Sequence, residues 1–349
     1  MPAVDCGVLF GFRNPPFNRR PWTEIYQNEL DLIVESERLG YGHAWLTEHH
    51  FSDDGYSPSL MAIGGAAAAR TAKIRIGTFV LLLPLHDPIE VAEDAATVDI
   101  ISNGRFDLGV GQGYVPYEFD PRGIPHNQRG RRLEEGVQIL RGLLSGEKFS
   151  FEGKHNHLDN IQIVPPPVQK NFPIWIGARG DKALDRAARL GFNLASVGVA
   201  HHRQKYIEAL KRHGRNPDDF NIVQLVTAYC ADTHEKAWND IAEGFSHVLK
   251  YYHDWAVASG DITGDVEGQA VPTAEQFRKE QKGEFFGEPA FVGTPDEVLA
   301  GLQDYLSRSP SSHLVMYMSM PGNDPKNTQR SMELFAQHVM PKLTYERGK

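Results

Sequence analysis

The segment Glu48-His49-His50 places a carboxylate and two imidazoles shortly after an apolar run, His43–Leu46. Histidine titrates near neutral pH and can take up or release a proton during a reaction. An apolar run bounded by turn residues predicts a buried strand, and α/β proteins collect their chemistry at the carboxyl ends of such strands. The segment therefore predicts a general acid or base at a strand end. Both histidines could reach that site, or one of them could instead satisfy a buried backbone carbonyl.

The same segment offers possible metal ligands in Glu48, His49 and Asp53. Their spacing matches no closed metal-binding pattern, and no third histidine or cysteine lies at a telling interval. We therefore expect acid–base chemistry here and no metal site.

A glycine-rich segment, Gly109-Val110-Gly111-Gln112-Gly113, follows the predicted fourth strand. Glycines let a backbone approach a ligand closely, although a simple tight turn would use the same residues. The spacing is not G-x-G-x-x-G, and Pro116, Pro121 and Pro125 follow, so we expect no helix to open there as a dinucleotide-binding fold requires. The sequence thus argues against a nicotinamide-binding Rossmann domain.

A second turn, Gly177-Ala178-Arg179-Gly180-Asp181, leads from the predicted fifth strand straight into a helix. Free amides at a helix N-terminus attract anions, and an arginine can bind a phosphate through two parallel hydrogen bonds. The turn therefore predicts an anion site with Arg179 as its cation. An ordinary loop with Asp181 as the helix N-cap is the alternative.

These segments sit in a chain in which strand and helix patterns alternate about eight times. Such alternation indicates parallel strands with helical crossovers, and eight units over 349 residues favour a closed (β/α)8 TIM barrel over an open sheet. We expect one domain, residues 1–349, with a hairpin insertion at about 149–168. The glycine-rich, charged segment at about 258–291 is expected to be a lid, with an idle connector as the alternative.

Composition limits the partners. Hydrophobic residues make up 41% and charged residues 23%, and the formal charge is −9 with no block of lysine or arginine, which argues against nucleic acid or an anionic membrane as a partner. The longest apolar run, residues 76–85, is too short to cross a bilayer as a helix. Cys6 and Cys230 are expected to be reduced and buried, and the absence of a signal-like start predicts a cytoplasmic protein.

Several segments, in this order, resemble the bacterial luciferase-like family of flavin-dependent monooxygenases, almost from end to end. Residues 45–51 resemble the segment that carries the family's active-site histidine. Residues 76–88 are similar to its third strand and the adjoining segment, and residues 102–109 to the approach to its fourth strand. Residues 291–297 resemble the entry to its seventh helix. Together, in register, they identify the family.

The resemblance implies a barrel with FMN at its C-terminal mouth, reduced FMN supplied by a separate NAD(P)H:flavin reductase, and O2-dependent oxidation of a small or medium apolar organic substrate. It also implies a homodimer. By the same match, His49 is the active-site histidine and Phe79-Val80 is a cis peptide under the flavin ring. We expect His49 to be the general acid/base and Glu48 its orienting partner. The match also implies that the FMN phosphate lies at Gln112 and at the Arg179-Gly180 turn. The other cofactor-binding positions are then Gly111, Gln112, Ala178, Arg179 and Gly180.

Two departures from the luciferase catalytic subunit matter. That subunit has cysteine and arginine where this chain has Gly111-Gln112, and glutamate and serine where it has Arg179-Gly180. The phosphate-binding cation is therefore expected to have moved from the fourth strand to the fifth, and light emission is not expected. Two alternatives stay open: an oxidoreductase that uses the deazaflavin F420 as hydride donor, and a non-catalytic flavin-binding subunit.

Overall fold

Eight parallel strands form a closed barrel in this computed structural model, which describes residues 1–197, 201–260 and 270–346. Each strand pairs with its neighbours in chain order, and the eighth pairs with the first. The predicted (β/α)8 barrel is thus confirmed. The barrel strands are β1 (Asp5–Phe10), β2 (His43–Leu46), β3 (Arg75–Thr78), β4 (Phe106–Gly111), β5 (Ile174–Gly177), β6 (Asn193–Ser196), β7 (Ile222–Cys230) and β8 (His313–Tyr317).

Helices surround the barrel, and several begin at residues that the sequence marks as helix starts. The Asp87 and Thr294 side chains accept hydrogen bonds from the first-turn amides of α3 and α10, each of which begins with a proline. No helix of the described residues is both long enough and apolar enough to cross a membrane. The helices are α1 (Trp22–Leu39), α2 (Leu60–Arg70), α3 (Pro88–Ser102), α4 (Pro116–Phe119), α5 (Arg129–Leu143), α6 (Asp181–Leu190), α7 (His201–Arg212), α8 (His234–Ser259), α9 (Ala274–Glu280), α10 (Pro295–Arg308) and α11 (Pro325–His338).

The prolines after the glycine-rich segment do not keep it free of helix, because α4 begins at Pro116, although with four residues it is not the helix that a dinucleotide-binding fold requires. Pro116 occupies its first turn, where proline lacks only an amide that would be unpaired anyway and its fixed φ suits a helix. Here the proline marks a helix start and not a break. This short helix carries Glu118, a fully buried carboxylate.

Trp45 fills the middle of the barrel interior and is fully buried. Room for its indole comes from two glycines on the adjacent strands. A Cβ on Gly7 would lie 2.7 Å from the indole Cδ1, and one on Gly77 would lie 2.3 Å from Cζ3. Large and small side chains therefore alternate across the strands, as a close-packed barrel core requires.

A polar cluster closes the amino end of the barrel interior. The His43 ring lies with Nδ1 2.7 Å from Asp5 Oδ1 and Nε2 3.4 Å from Asp107 Oδ2. Arg75 Nε is 2.5 Å from Asp107 Oδ2, and Trp175 Nε1 donates to Oδ1 of the same carboxylate at 3.1 Å. Burial disfavours the protonated form of His43, but its hydrogen bonds to Asp107 and Asp5 outweigh burial and raise its pKa to about 9.

Two segments leave the barrel. Strands Phe149–Glu152 and His157–Ile161 form an antiparallel hairpin within the predicted insertion. Of the expected lid at about 258–291, residues 261–269 lie outside the described residues. The described part contains α9, which starts at a capping box, and a hairpin of Glu284–Phe285 with Glu288–Pro289. These elements are shorter than the windows in which periodicity can be read, so the sequence showed no pattern there.

Candidate active site

The mouth at the carboxyl ends of the strands has a floor made largely of backbone. The peptide bond between Phe79 and Val80 is cis, as predicted. A Cβ on Gly111 would lie 2.6 Å from Val80 Cγ2, and one on Gly177 would lie 3.2 Å from the same atom. Val80 therefore packs directly on the main chain of β4 and β5 at these two glycines. Such a surface fits a planar ring that is bound close to the backbone.

His49 follows β2 at this mouth and is 5% exposed. Four aromatic rings surround its imidazole, with centroids 4.1 Å away for Trp255, 4.9 Å for Tyr56, 5.9 Å for Tyr114 and 6.0 Å for Tyr252. We call these four residues the aromatic chamber. Two of its members come from α8, so the long helix closes the mouth above His49. The chamber offers apolar walls to an organic molecule and limits access of water.

The carboxylate that contacts His49 is Glu118, so the prediction that Glu48 orients His49 is wrong. Glu118 is fully buried, and its Oε1 lies 3.0 Å from His49 Nδ1 and accepts the backbone amide of His50 at 2.8 Å. A carboxylate only accepts hydrogen bonds, so Nδ1 carries the proton and Nε2 is left as the proton acceptor. Among the described residues, Nε2 makes no hydrogen bond.

Glu48 instead holds two other imidazoles. Its Oε1 is 2.7 Å from His50 Nε2 and 2.7 Å from His86 Nε2, while Oε2 accepts the Leu82 amide at 2.6 Å. Burial raises the pKa of this carboxyl, but the hydrogen bonds from His50 and His86 outweigh burial and lower it to about 2. The alternation of side chains along an extended chain sends Glu48 and His50 to one side and His49 to the other. Glu48 therefore joins β2 to the segment after β3.

The metal set considered from the sequence does not assemble. In the described part of the chain, two other sets bring three candidate ligand atoms together: Asp5, His43 and His313 at the amino end, and Glu48, His50 and His86 at the mouth. In the first set both ring nitrogens of His43 face carboxylates and neither is free for a metal ion.

The second set also lacks the surroundings of a metal site. Arg122 Nη2 lies 3.4 Å from His50 Nδ1. An arginine can only donate, so Nδ1 is the acceptor and Nε2 carries the proton that bonds to Glu48. A metal bound at Nε2 would need the opposite tautomer, with Nδ1–H facing an acceptor. Hydrogen bonding therefore accounts for this cluster.

The predicted phosphate turn lies between β5 and α6. Arg179 is exposed, its guanidinium carbon is 5.4 Å from the Phe286 ring centroid, and no carboxylate of the described residues pairs with it. Gly180, at φ 82°, is the N-cap of α6, so Asp181 is not the cap and instead pairs with Lys205 at 2.6 Å. Ala178 donates its amide to a backbone carbonyl of the β6 strand at 3.3 Å. The turn thus leaves Arg179 available for an anion.

A second cation, not found from the sequence, lies at the end of β4. Arg186 Nη1 is 3.5 Å from Gln112 Oε1, and Arg186 Nε is 3.5 Å from Glu134 Oε2. Arg186 was missed because it lies inside the amphipathic pattern of α6, where an arginine is normally a solvated surface residue. Gln112 therefore has a cation beside it, and Arg179 is itself a cation, so both positions offer positive charge to a phosphate.

The hairpin of the predicted lid covers part of the mouth. The Phe285 and Phe286 rings lie 5.2 Å and 5.1 Å from the Tyr252 ring, and Phe286 also meets Arg179. The mouth therefore combines a flat backbone floor, an aromatic chamber and an exposed cation. These residues fit a planar ring system that carries a phosphate.

The chain belongs to the luciferase-like monooxygenase family, whose sequence profile matches residues 5–311. It is 34% identical over 171 residues to the uncharacterized protein y4vJ of Sinorhizobium fredii and spans about half of that relative, 49%. The oxygenase component of the flavin-dependent trigonelline monooxygenase of Acinetobacter baylyi is 26% identical, over 91% of this chain and 90% of that protein. The F420-dependent glucose-6-phosphate dehydrogenase of Amycolatopsis mediterranei is 26% identical, over 90% and 93%.

Solved structures share the fold. The monooxygenase RslO1 from Streptomyces bottropensis superposes with a TM-score of 0.78 at 24% identity, covering 97% of this chain and 99% of that one. The oxygenating constituent of 3,6-diketocamphane monooxygenase from Pseudomonas putida, in complex with FMN, superposes with a TM-score of 0.80 at 20% identity, covering 99% and 100%. The family includes FMN-dependent monooxygenases and F420-dependent oxidoreductases, so a flavin-type cofactor is common to it.

Proposed function

We propose that the protein is the oxygenase component of a two-component FMN-dependent monooxygenase that acts on a small or medium organic substrate. One observation carries this proposal. His49, with Nδ1 fixed by Glu118, lies at the barrel mouth inside the aromatic chamber, and its Nε2 makes no hydrogen bond among the described residues. A positioned proton acceptor next to a planar-ring site is what an acid–base-assisted flavin oxidation needs.

The residues of the mouth divide the work. FMN would rest on Val80, Gly111 and Gly177, with its phosphate near Arg179 and Gln112, and when reduced it would supply the electrons that activate O2. His49 Nε2 takes a proton from the substrate and returns one to the product, while Glu118 keeps the imidazole in the tautomer that this requires. Because the aromatic chamber excludes water, the proton moves between His49 and the bound molecule and not to solvent.

The sequence similarity to a named oxygenase component supports a separate NAD(P)H:flavin reductase as the source of reduced FMN. It agrees with the glycine-rich segment after β4, which lacks the spacing of a nicotinamide fingerprint. A second candidate function, F420-dependent hydride transfer, is favoured by the equal identity to an F420-dependent dehydrogenase. A non-catalytic flavin carrier is disfavoured, because it would have no need for a buried carboxylate–imidazole pair.

A cofactor titration tests the proposal. Purified protein is titrated with oxidised FMN, reduced FMN under argon, and F420, and binding is followed by equilibrium dialysis. We expect reduced FMN to bind at least ten-fold more tightly than F420. A preference for F420 would replace the proposal with hydride transfer. Air is then admitted to the complex with reduced FMN, and oxygen uptake is measured with a panel of aldehydes, ketones and aromatic acids. If reduced FMN binds but none of these compounds changes oxygen uptake, the carrier interpretation is correct instead.

A further inference from the structure

Arg13 is a buried cation at the mouth for which the proposed chemistry has no use. It follows β1, its side chain is 1% exposed, and the preceding residue, Phe12, adopts a left-handed φ of 54° that turns the chain there. Asp54 Oδ2 accepts Arg13 Nε at 2.5 Å, and Nη1 is 3.4 Å from the Tyr317 hydroxyl. The remaining nitrogen, Nη2, is buried and has no hydrogen-bond partner in the part of the chain that the structure describes.

Aromatic rings fix the plane of this guanidinium. Its carbon lies 4.5 Å from the Tyr56 ring centroid and 5.1 Å from that of Tyr251. The Tyr56 hydroxyl is itself held at 3.3 Å from Thr47 Oγ1 and 3.1 Å from the Tyr252 hydroxyl. Since Tyr56 is also the edge-on neighbour of His49, one immobilised ring contacts both the arginine and the imidazole.

Asp54 binds only part of the Arg13 guanidinium. The one oxygen that binds Arg13 Nε also lies 2.9 Å from His247 Nε2, so two donors share it. The guanidinium that contacts the Tyr56 ring of the aromatic chamber therefore keeps Nη2 unpaired among the described residues. A buried donor on a charged group is costly to leave unpaired, and an oxygen of a bound molecule would satisfy it.

We propose that Arg13 anchors the substrate by an oxyanion, so that the substrate class is organic carboxylates with an apolar, ring-sized body. The apolar body of the substrate would occupy the aromatic chamber and bring the reacting carbon to His49. Its carboxylate would accept a hydrogen bond from Arg13 Nη2. This inference rests on the proposed function only in calling the bound molecule a substrate. It narrows the apolar substrate expected from the sequence to one with a charged end.

Calorimetric titration with two isosteric probes tests this anchor in the protein without flavin. Benzoate and benzamide share a ring and differ in charge. We expect wild type to bind benzoate at least ten-fold more tightly than benzamide, because charge-assisted hydrogen bonds are about twice as strong as neutral ones. In the double variant Arg13→Gln/Asp54→Asn, which leaves neither charge buried alone, the ratio should fall to about one. Circular dichroism and the thermal midpoint check that this variant is folded.

Two control measurements make each outcome decisive. Arg179→Gln removes the exposed cation of the turn between β5 and α6 and should leave the benzoate preference unchanged. If the preference follows Arg179, or if wild type shows none, the anchor is refuted. In the second case Nη2 is satisfied by a water molecule in the cavity of about 20 Å³ that Arg13 borders. FMN affinity is measured in the same samples. A lack of FMN binding would refute the proposed function, whereas the preference for benzoate over benzamide would still test the role of Arg13.

Discussion

Two adjacent histidines of one motif have different partners, and those partners separate their roles. His50 has Glu48 at Nε2 and Arg122 at Nδ1, so both of its nitrogens are engaged. Among the described residues His49 is hydrogen-bonded through Nδ1 alone, to Glu118, and its ring lies inside the aromatic chamber. A side chain with both nitrogens engaged stabilises structure, whereas one with a free acceptor can move a proton.

Replacing His49 by alanine should therefore remove chemistry and spare cofactor binding. A positioned acid/base contributes roughly 10²–10⁴-fold in rate, so His49→Ala should lower single-turnover oxidation, started with pre-reduced FMN, within that range. FMN affinity should stay within a few-fold of wild type, because His49 is not among the residues assigned to the cofactor. Wild-type turnover by the variant would mean that the motif is structural.

Glu118, which contacts His49, and the neighbouring His50 provide the matched controls for that measurement. Glu118→Gln keeps the shape of the side chain but no longer requires the Nδ1–H tautomer, so it should lower the same rate, although less than His49→Ala. His50→Ala should change the rate little and lower the unfolding midpoint, since it breaks the Glu48 cluster. An inactive His50→Ala beside an active His49→Ala would reverse the assignment.

Arg179 should be needed for the phosphate and not for the ring. A hydrogen bond to a charged group contributes about 1.5–3 kcal/mol, so Arg179→Ala should weaken FMN more than riboflavin, which lacks the phosphate. Equilibrium dialysis of both ligands measures the difference. Arg186→Ala is the companion variant, because Arg186 stands beside Gln112. If only Arg186→Ala discriminates between the two ligands, the phosphate lies at the end of β4.

Two glycines on the barrel strands are poor strand formers but are needed for packing around Trp45. Glycine is disfavoured within strands, yet Gly7 and Gly77 lie on β1 and β3 because the indole of Trp45 occupies the space of their side chains. Trp45 in turn lies on β2 a few residues before the Glu48-His49-His50 motif. Packing in the barrel interior therefore sets the height at which Glu48 and His49 emerge.

Adding one methyl group to β3 should disturb this packing. In Gly77→Ala the Cβ would lie 2.3 Å from Trp45 Cζ3, and overpacking of a core typically costs about 1–3 kcal/mol. The matched control is Gly65→Ala in α2, where a Cβ has no neighbour within 4 Å and the helix should gain about 0.5–1 kcal/mol. Urea unfolding should move the two midpoints in opposite directions. A harmless Gly77→Ala would show that Trp45 can shift.

Across the whole molecule, the two ends of the barrel interior have different tasks. The amino end is closed by His43, Asp5, Asp107 and Arg75, which are bonded to one another. Within the part of the chain that the structure describes, the carboxyl end keeps unpaired groups such as His49 Nε2 and Arg13 Nη2. This division follows the general rule that barrels place stability at the amino face and chemistry at the carboxyl face.

The closed end should make stability depend on pH. The folded pKa of His43 is about 9, above its ordinary 6.5, so its contribution is complete below about pH 6.5 and is lost as pH rises through 9. His313, Asp5, Asp107 and Arg75 are the other charged or titratable groups around it. Thermal midpoints should fall more between pH 7 and 9.5 in wild type than in His43→Gln. Equal slopes would mean that His43 is not protonated in the native state.

The sequence by itself determined the barrel, the position of the mouth and the motif that supplies the imidazole. Periods of 2 and 3.6 residues and local turn signals are short-range properties, and they agreed along most of the chain. Only the tertiary structure decided which carboxylate reaches His49, because Glu118 is 69 residues away and lies on a helix too short to show a period. Arg13 lies just after β1, and only its contacts with Asp54 and Tyr56 mark it as a candidate binding group. Burial and partners at long range, which local patterns do not encode, separate a solvated charge from a binding group.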